Sequence, residues 1–148
     1  MDSAISPLLS GYPIVVTLPV QWGEQDMYGH VNNTVYFRWY ETARIAYAEK
    51  VGLPEMTQTL GVGPILAAIN CNYRRQVRYP DTIQIGARVT RLGRTSLTME
   101  HHVVSAKQGV LVADGDSTIV CFNYRDQKPV PVPDTLRAAI EKLEGKPL

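Results

Sequence analysis

The chain is organised around Asp26-Met27-Tyr28-Gly29-His30-Val31-Asn32-Asn33-Thr34-Val35-Tyr36, in which a polar loop leads into a helical segment. The loop contains a carboxylate, a glycine, a histidine and two asparagines, whereas the next seventeen residues, 34–50, contain no Gly and no Pro. The first turn of a helix carries unpaired N–H groups and a partial positive charge, which can stabilise a developing oxyanion. A carboxylate just ahead of a helix start therefore indicates a place for chemistry.

The segment from about Asn33 to Lys50 has the apolar spacing of an amphipathic helix. Asn32 or Asn33 is a suitable N-cap, and Gly52 and Pro54 lie where such a helix would end. The apolar stripe consists of Tyr36, Trp39, Tyr40, Ala43, Ala46 and Tyr47. A stripe this wide needs a broad apolar surface, such as a sheet, to cover it.

Most of the remaining chain alternates apolar and polar residues, as half-buried strands do. The predicted strands lie at 14–22, 65–73, 83–89, 97–103 and 110–124. We expect 54–63 to be a connection with at most one helical turn, and Asp114-Gly115-Asp116 to form a bulge in the last strand. A short amphipathic helix should follow Pro133 and end near Leu143.

This order of elements predicts an α+β fold in which one long antiparallel sheet curls around one central helix. At 148 residues the chain is expected to form a single domain, 1–148. The sheet would keep long edges and one uncovered face, so we expect a homodimer or a homotetramer.

Charge and hydrophobicity argue against several classes of function. The net charge of +1 argues against nucleic acid or an anionic membrane as the main partner. The longest run of apolar or small residues, 62–69, is too short to cross a bilayer. Because no Lys or Arg precedes Arg38, the first residues lack the basic part of a signal peptide, and a cytoplasmic location is expected.

Cysteine and histidine patterns favour structural roles. The chain has only two cysteines, Cys71 and Cys121, which we expect to be reduced thiols. His101 and His102 are neighbours in a predicted strand and so face opposite sides of the sheet. No Cys or carboxylate is spaced to complete a zinc site with them, so no metal is expected.

The loop and helix resemble the 4-hydroxybenzoyl-CoA thioesterase family of hot-dog-fold proteins. The matching residues are Asp26, Gly29, His30, Val31, Asn32, Asn33 and Tyr36, followed by Glu41 and Ala43-Arg44. Segments 73–83, 93–96 and 131–133 are also similar, so the likeness spans residues 14–140. It implies a hot-dog fold, hydrolysis of an acyl-CoA to a free acid and coenzyme A with no further cofactor, and a site at a subunit interface.

The resemblance also implies catalytic roles. Asp26 would act on the thioester carbonyl as a nucleophile or as a general base, and the backbone N–H of Asn33 would polarise that carbonyl. Gly29 would supply a positive φ or a close approach to substrate. His30 would orient the loop or help to deliver water; because well-studied relatives carry an apolar residue there, a purely structural histidine is the alternative.

Substrate contacts are expected from two regions. Near the loop these are Asn32, which can also simply order the loop, and Tyr36, which can also be core. Six arginines occur between positions 74 and 94, and arginine suits the phosphates of coenzyme A. Of these, Arg91 and Arg94 beside Gly93 are the best phosphate candidates, with Ser96 a weaker one. Glu41 is either an exposed charge or a carboxylate that faces the site.

Two other functions fit the same residues. The acyl donor could be an acyl carrier protein instead of coenzyme A, which the loop motif does not distinguish. A non-catalytic module that binds acyl-CoA would also need the arginines. A hot-dog dehydratase fits less well, because its acid/base pair is not evident in the loop.

Overall fold

The computed structural model describes residues 4–148. Its strands are β1 (Ile14–Pro19), β2 (Val62–Ile69), β3 (Asn72–Tyr73), β4 (Thr82–Leu92), β5 (Ser96–Ser105), β6 (Val110–Asn123) and β7 (Lys128–Pro129). Its helices are α1 (Asn33–Lys50), α2 (Leu53–Leu60) and α3 (Asp134–Glu144), and 3₁₀ turns occur at Pro7–Leu9 and Trp22–Glu24. None of the helices in the described range is long and apolar enough to cross a bilayer.

The strands form one antiparallel sheet in the order β1-β4-β5-β6-β2, and the short β3 and β7 pair with β6. On the inner face, Ile85 of β4 lies opposite Val103 of β5, and Val103 lies opposite Ala113 of β6. The predicted inward residues of the two central strands are all buried: Ile83, Ile85, Ala87, Val89, Leu97, Met99, His101 and Val103. The alternation in the sequence therefore gave the correct faces for the central strands.

Helix α1 has the predicted bounds and buries most of the predicted stripe. The Asn32 side chain caps it by accepting a hydrogen bond from the Thr34 N–H, and Gly52 follows its last turn with a φ of 79°. Five members of the stripe are buried, namely Tyr36, Trp39, Tyr40, Ala43 and Tyr47. They join one core with residues of β4, β5, β6 and α3, so the sheet wraps around α1 as predicted.

The connection after α1 is more helical than expected. Residues Leu53–Leu60 form the two-turn helix α2 rather than a connection with a single turn. Pro54 lies in the first turn of α2, where a missing N–H costs no helical hydrogen bond, and Gly61 ends the helix with a φ of 73°. Pro54 thus starts a new helix as well as preventing the continuation of α1.

The bulge in β6 is not at Asp114–Asp116, where we predicted it. Val103 pairs with Ala113 and Val104 with Leu111, so Val112 is the extra residue. Gly115 has a different reason to be glycine: a Cβ there would lie 2.1 Å from the backbone oxygen of Asn70. It permits a close approach of the chain between β2 and β3, and the ladder continues through it.

Two other strands also differ from the predictions. β1 ends at Pro19 instead of Trp22, because Trp22–Glu24 forms a 3₁₀ turn that the Glu24 side chain caps at the Gln21 N–H. The alternation predicted for 65–73 breaks at a register shift between Leu66 and Ala68. Both cysteines are free thiols; Cys121 is buried, whereas Cys71 is half-buried.

Candidate active site

The loop ahead of α1 is held by its own backbone. The Asp26 N–H donates to the His30 carbonyl at 2.8 Å, and the Gly29 N–H donates to the Asp26 carbonyl at 3.0 Å. Gly29 has a φ of 77°, so the positive φ expected of it is present. The turn from 26 to 30 is therefore closed on itself, which fixes the direction of the Asp26 side chain.

The half-buried carboxylate of Asp26 has one occupied oxygen and one available oxygen. Its Oδ1 accepts a hydrogen bond from the Tyr28 N–H at 2.8 Å. Within the described residues, 4–148, no protein donor reaches Oδ2. One oxygen is thus available to act on a substrate or a water molecule.

The start of α1 leaves one amide without an acceptor. The Asn32 Oδ1 accepts from the Thr34 N–H at 3.0 Å, which leaves the N–H of Asn33 with no acceptor among the residues that the structure describes. The Tyr73 hydroxyl donates to the Asn33 carbonyl at 2.9 Å and so fixes this residue from β3. Asn32 is an N-cap, which is the loop-ordering alternative that we gave for it.

Asp26 and Asn33 line the same open groove, which we call the loop groove. Its volume is about 370 Å³. Its lining residues are Asp26, His30, Val31, Asn33, Tyr36, Tyr73, Arg74, Arg75 and Gln76. Asp26 and Asn33 are therefore brought to the same groove.

The His30 side chain lines the loop groove and contacts an arginine. Arg78 Nη2 lies 3.0 Å from His30 Nε2, and because a guanidinium can only donate, Nε2 is the acceptor and carries no proton. This contact ties the loop to the segment before β4. The geometry fits the loop-orienting role of His30.

Tyr36 is buried, and its ring packs edge-on against Trp39 and Tyr73 with centroids 4.8 and 5.0 Å away. Burial raises the pKa of its hydroxyl to about 12, so the phenol stays protonated. Tyr36 is therefore mainly a core residue, and a small part of its surface lines the groove.

The bulge in β6 shapes the other wall of the groove. The carbonyl of the bulged Val112 accepts the N–H groups of both Arg74 and Arg75, at 2.8 and 3.1 Å. This anchors the two arginines beside Asp26. Tyr73, Arg75 and Gln76 lie in the stretch that resembles the family, but the sequence contained no signal that singled them out as groove residues.

A second open groove of about 610 Å³ adjoins the first, and we call it the basic groove. It is lined by Arg74, Arg75, Gln76, Arg78, Asp81, Lys107 and Gln108, so it shares 74–76 with the loop groove. Arg74 is paired with Asp114 at 3.0 Å, whereas the ion pairs among residues 4–148 do not include Arg75, Arg78 or Lys107. Three cations of the basic groove thus have no carboxylate partner in that range.

Arg91, Arg94 and Ser96 lie at the other end of the sheet. β4 runs from Thr82, which follows the basic groove, to Leu92; ten steps at about 3.3 Å per residue give roughly 30 Å. Within one chain these three residues do not reach Asp26, and they can contribute to the site only from a second copy.

Glu41 does not line the loop groove. Its carboxylate accepts from Arg38 at 3.2 Å, and it lines a separate cavity further along α1. Among residues 4–148 no three His, Cys, Asp or Glu side chains are grouped in a way that could hold a metal ion.

Comparisons with known proteins identify the family. The model of the thioesterase-like superfamily matches residues 20–140. The long-chain acyl-CoA thioesterase FadM of Escherichia coli is 28% identical over 118 residues, which cover 80% of this chain and 89% of FadM.

Solved structures give the same result for the fold. A Thermus thermophilus thioesterase, solved with coenzyme A and Zn, superimposes with a TM-score of 0.83 at 32% identity, over 94% of this chain and 99% of that one. A thioesterase-superfamily structure from Jannaschia gives 0.78 at 27% identity, over 89% and 83%. The predicted hot-dog fold is confirmed.

Proposed function

The chain belongs to the thioesterase-like superfamily, and from this membership we propose that it hydrolyses an acyl-CoA thioester to a free acid and coenzyme A. The observation that carries the proposal is that Asp26 and Asn33, whose N–H has no acceptor in the described range, line one groove. A thioesterase needs a base or nucleophile and an oxyanion donor around one carbonyl, and the loop groove offers both.

In the proposed reaction the thioester oxygen accepts a hydrogen bond from the Asn33 N–H at the positive end of α1. Asp26 then acts by one of two routes. As a nucleophile its carboxylate displaces the coenzyme A thiolate and forms a mixed anhydride, which water hydrolyses. As a base it removes a proton from the water that attacks the acyl carbon. Incorporation of ¹⁸O from labelled water into Asp26 during turnover would identify the anhydride route.

The basic groove supports coenzyme A as the leaving group. Arg75, Arg78 and Lys107 have no carboxylate partner in the described range and lie beside the loop groove. Guanidinium groups bind phosphate through paired hydrogen bonds. We place the phosphates of coenzyme A there, and we keep Arg91, Arg94 and Ser96 as phosphate contacts only from a second subunit.

The second copy would pair along β2. Within residues 4–148 this strand has only β6 beside it, and Pro64, Leu66, Ala67 and Ala68 on it are exposed. An exposed edge with apolar side chains is a site for strand pairing with another chain. We propose a homodimer, or a tetramer of such dimers, with the site at the subunit interface.

The direct test is Asp26→Asn, assayed on a panel of acyl-CoA thioesters by release of free thiol. We expect kcat to fall by about 100-fold or more, because the amide can neither attack nor accept a proton. Asp126→Asn is the matched control, since Asp126 is exposed in the turn after β6. Wild-type rates in Asp26→Asn would remove this residue from the mechanism.

The same assay distinguishes the proposed hydrolysis of acyl-CoA from the two alternative functions, an acyl carrier protein thioesterase and a non-catalytic acyl-CoA-binding module. Faster turnover of the same acyl group on an acyl carrier protein than on coenzyme A would assign that donor instead. Tight binding of coenzyme A with no thiol release across the panel would make the chain a binding module.

A further inference from the structure

A mainly apolar cavity, partly open to solvent, lies between the C-terminal half of α1 and the sheet, and we call it the core cavity. Its volume is about 270 Å³, room for roughly nine groups the size of a water molecule. Ile45, Leu66, Leu97, Met99 and Ile119 are among the apolar side chains that line it. A mainly apolar pocket of this size has room for a short hydrocarbon chain.

Two charged residues, Glu41 and Arg44, also line the core cavity. The Glu41 carboxylate is bound to Arg38. The half-buried Arg44 donates from Nη1 to the neutral Ser117 Oγ at 3.2 Å, and the ion pairs found within residues 4–148 do not include it. A guanidinium has five N–H donors, and within residues 4–148 the Arg44 side chain makes one hydrogen bond, to the Ser117 hydroxyl. Its other N–H groups can still bind an acceptor.

A buried chain of hydrogen bonds fixes Arg44 in this place. The fully buried His101 has Nδ1 3.3 Å from the Gly86 carbonyl, which can only accept, so Nδ1 carries the proton. Burial lowers the pKa of His101 to about 3, and the ring is neutral. Its Nε2 therefore accepts from the Ser117 hydroxyl at 3.0 Å, which leaves the lone pairs of Ser117 for Arg44.

The core cavity is separate from the loop groove. Arg44 follows Asn33 by eleven residues of α1, a distance of roughly 16 Å along the helix. The two sets of lining residues have no member in common. A group bound at Arg44 is thus away from the carbonyl on which Asp26 would act.

We propose that the core cavity is a binding site for an aliphatic carboxylate of about seven carbons, whose charged end pairs with Arg44. A neutral hydrocarbon would leave the guanidinium without an anionic partner, and a small inorganic anion would leave the apolar part of the cavity empty. Binding at this site does not require Asp26. Only the origin of the ligand rests on the proposed function: the carboxylate belongs either to a free acid or to the far end of the acyl group of a thioester.

Methyl NMR of the methionines tests the proposal without any catalytic step. Met99 lines the core cavity, and Met27, which is 89% exposed in the loop, is an internal control. Titration with heptanoate should shift the Met99 methyl saturably and leave Met27 unchanged. Heptanoate should bind more tightly than 1-heptanol, its neutral counterpart.

Substitutions at Arg44 and Glu41 test whether the guanidinium binds the carboxylate of heptanoate. Arg44→Met should weaken heptanoate binding about tenfold and leave 1-heptanol unaffected, because only the carboxylate pairs with the guanidinium. Glu41→Gln removes the competing negative charge and should tighten heptanoate by about twofold. Arg44→Lys keeps the charge and should retain part of the affinity, which controls for loss of the fold.

Three results would overturn the proposal: no Met99 shift with heptanoate, equal affinity for heptanoate and 1-heptanol, or unchanged heptanoate binding in Arg44→Met. If a side chain of a second copy fills the core cavity, heptanoate will not shift the Met99 methyl.

Kinetics identify the source of the carboxylate. Heptanoate inhibition that leaves KM unchanged indicates a free acid. A fall in kcat/KM of Arg44→Met for an ω-carboxyacyl-CoA, but not for the unsubstituted acyl-CoA, indicates the distal end of the substrate. Either result supports the site.

Discussion

Asp26 and His101 have opposite environments, and each environment suits a different task. The carboxylate of Asp26 is half-buried in a groove open to water, with one oxygen held by the Tyr28 N–H. His101 is fully buried, stacks on the Tyr40 ring at a centroid distance of 4.5 Å and uses both ring nitrogens in hydrogen bonds. The first residue can meet a substrate, whereas the second is a neutral structural group.

His101 should make stability depend on pH. Its pKa is about 3 in the fold and near 6.5 when the chain is unfolded, so below pH 6.5 the unfolded chain binds a proton that the folded one does not. We expect the histidine to lower the free energy of unfolding by about 1.4 kcal/mol between pH 7.5 and pH 5.5.

Urea unfolding at these two pH values measures the effect. His101→Gln removes the titrating group, so the variant is expected to be less stable at pH 7.5 but to lose less on acidification. Equal losses in the two proteins would show that His101 is not responsible.

Helix α1 serves different purposes along its length. Its first residue lines the loop groove, its middle buries aromatic side chains in the core, and its second half lines the core cavity. The helix is rigid, so the distance between the two sites is set by the number of residues between Asn33 and Arg44.

The role of the helix start can be tested by removing one N–H. Asn33→Pro deletes the amide hydrogen at the first helical position, where proline is well tolerated, and Asn32 already has the extended backbone that precedes proline. We expect kcat to fall about 100-fold, the typical cost of losing one oxyanion donor.

Asn33→Ala is the control, because it keeps the N–H and changes only the side chain. Its kcat should remain within about threefold of wild type if the backbone group is the oxyanion donor. A similar loss in both variants would mean that the side chain of Asn33 matters instead.

The basic groove, the turn with Arg94 and the proposed dimer edge lie at different positions on the sheet. The basic groove adjoins the start of β4, the turn with Arg94 follows its end, and the exposed strand β2 is at the edge. The outer face is partly covered, since Leu9 and Tyr12 pack on Val104. The edge of β2 is therefore a better surface for a second copy than the face that we expected to be uncovered.

A charge in the middle of β2 should prevent the proposed dimer. Ala67→Lys would place two like charges near each other across paired β2 strands, and lysine at an edge opposes pairing. We expect wild type to sediment as a dimer or tetramer and Ala67→Lys to sediment as a monomer with reduced thioesterase activity.

Thr135→Lys adds the same charge on the exposed side of α3 and should leave the assembly intact. A monomeric wild-type protein, or a dimer that survives Ala67→Lys, would contradict β2 pairing.

Local patterns predicted most of the elements, and the failures share a cause. The bounds of α1 and the inner faces of β4 and β5 follow from residues that repeat at helical or strand spacing. Helix α2 was missed because Pro54 stops one helix and starts another equally well. The β6 bulge was assigned to Asp114–Asp116 by composition, but its position at Val112 depends on the pairing of β6 with β5.

Local residue patterns were sufficient to predict the loop, the helix that follows it and the alternating strands, because these depend on residues close together in the chain. The positions of Arg75 and Gln76 beside Asp26, of Arg91 and Arg94 at the far end of β4, and of Arg44 at a cavity became known from the folded chain. These placements depend on strand register and on packing between distant segments, which no local spacing encodes.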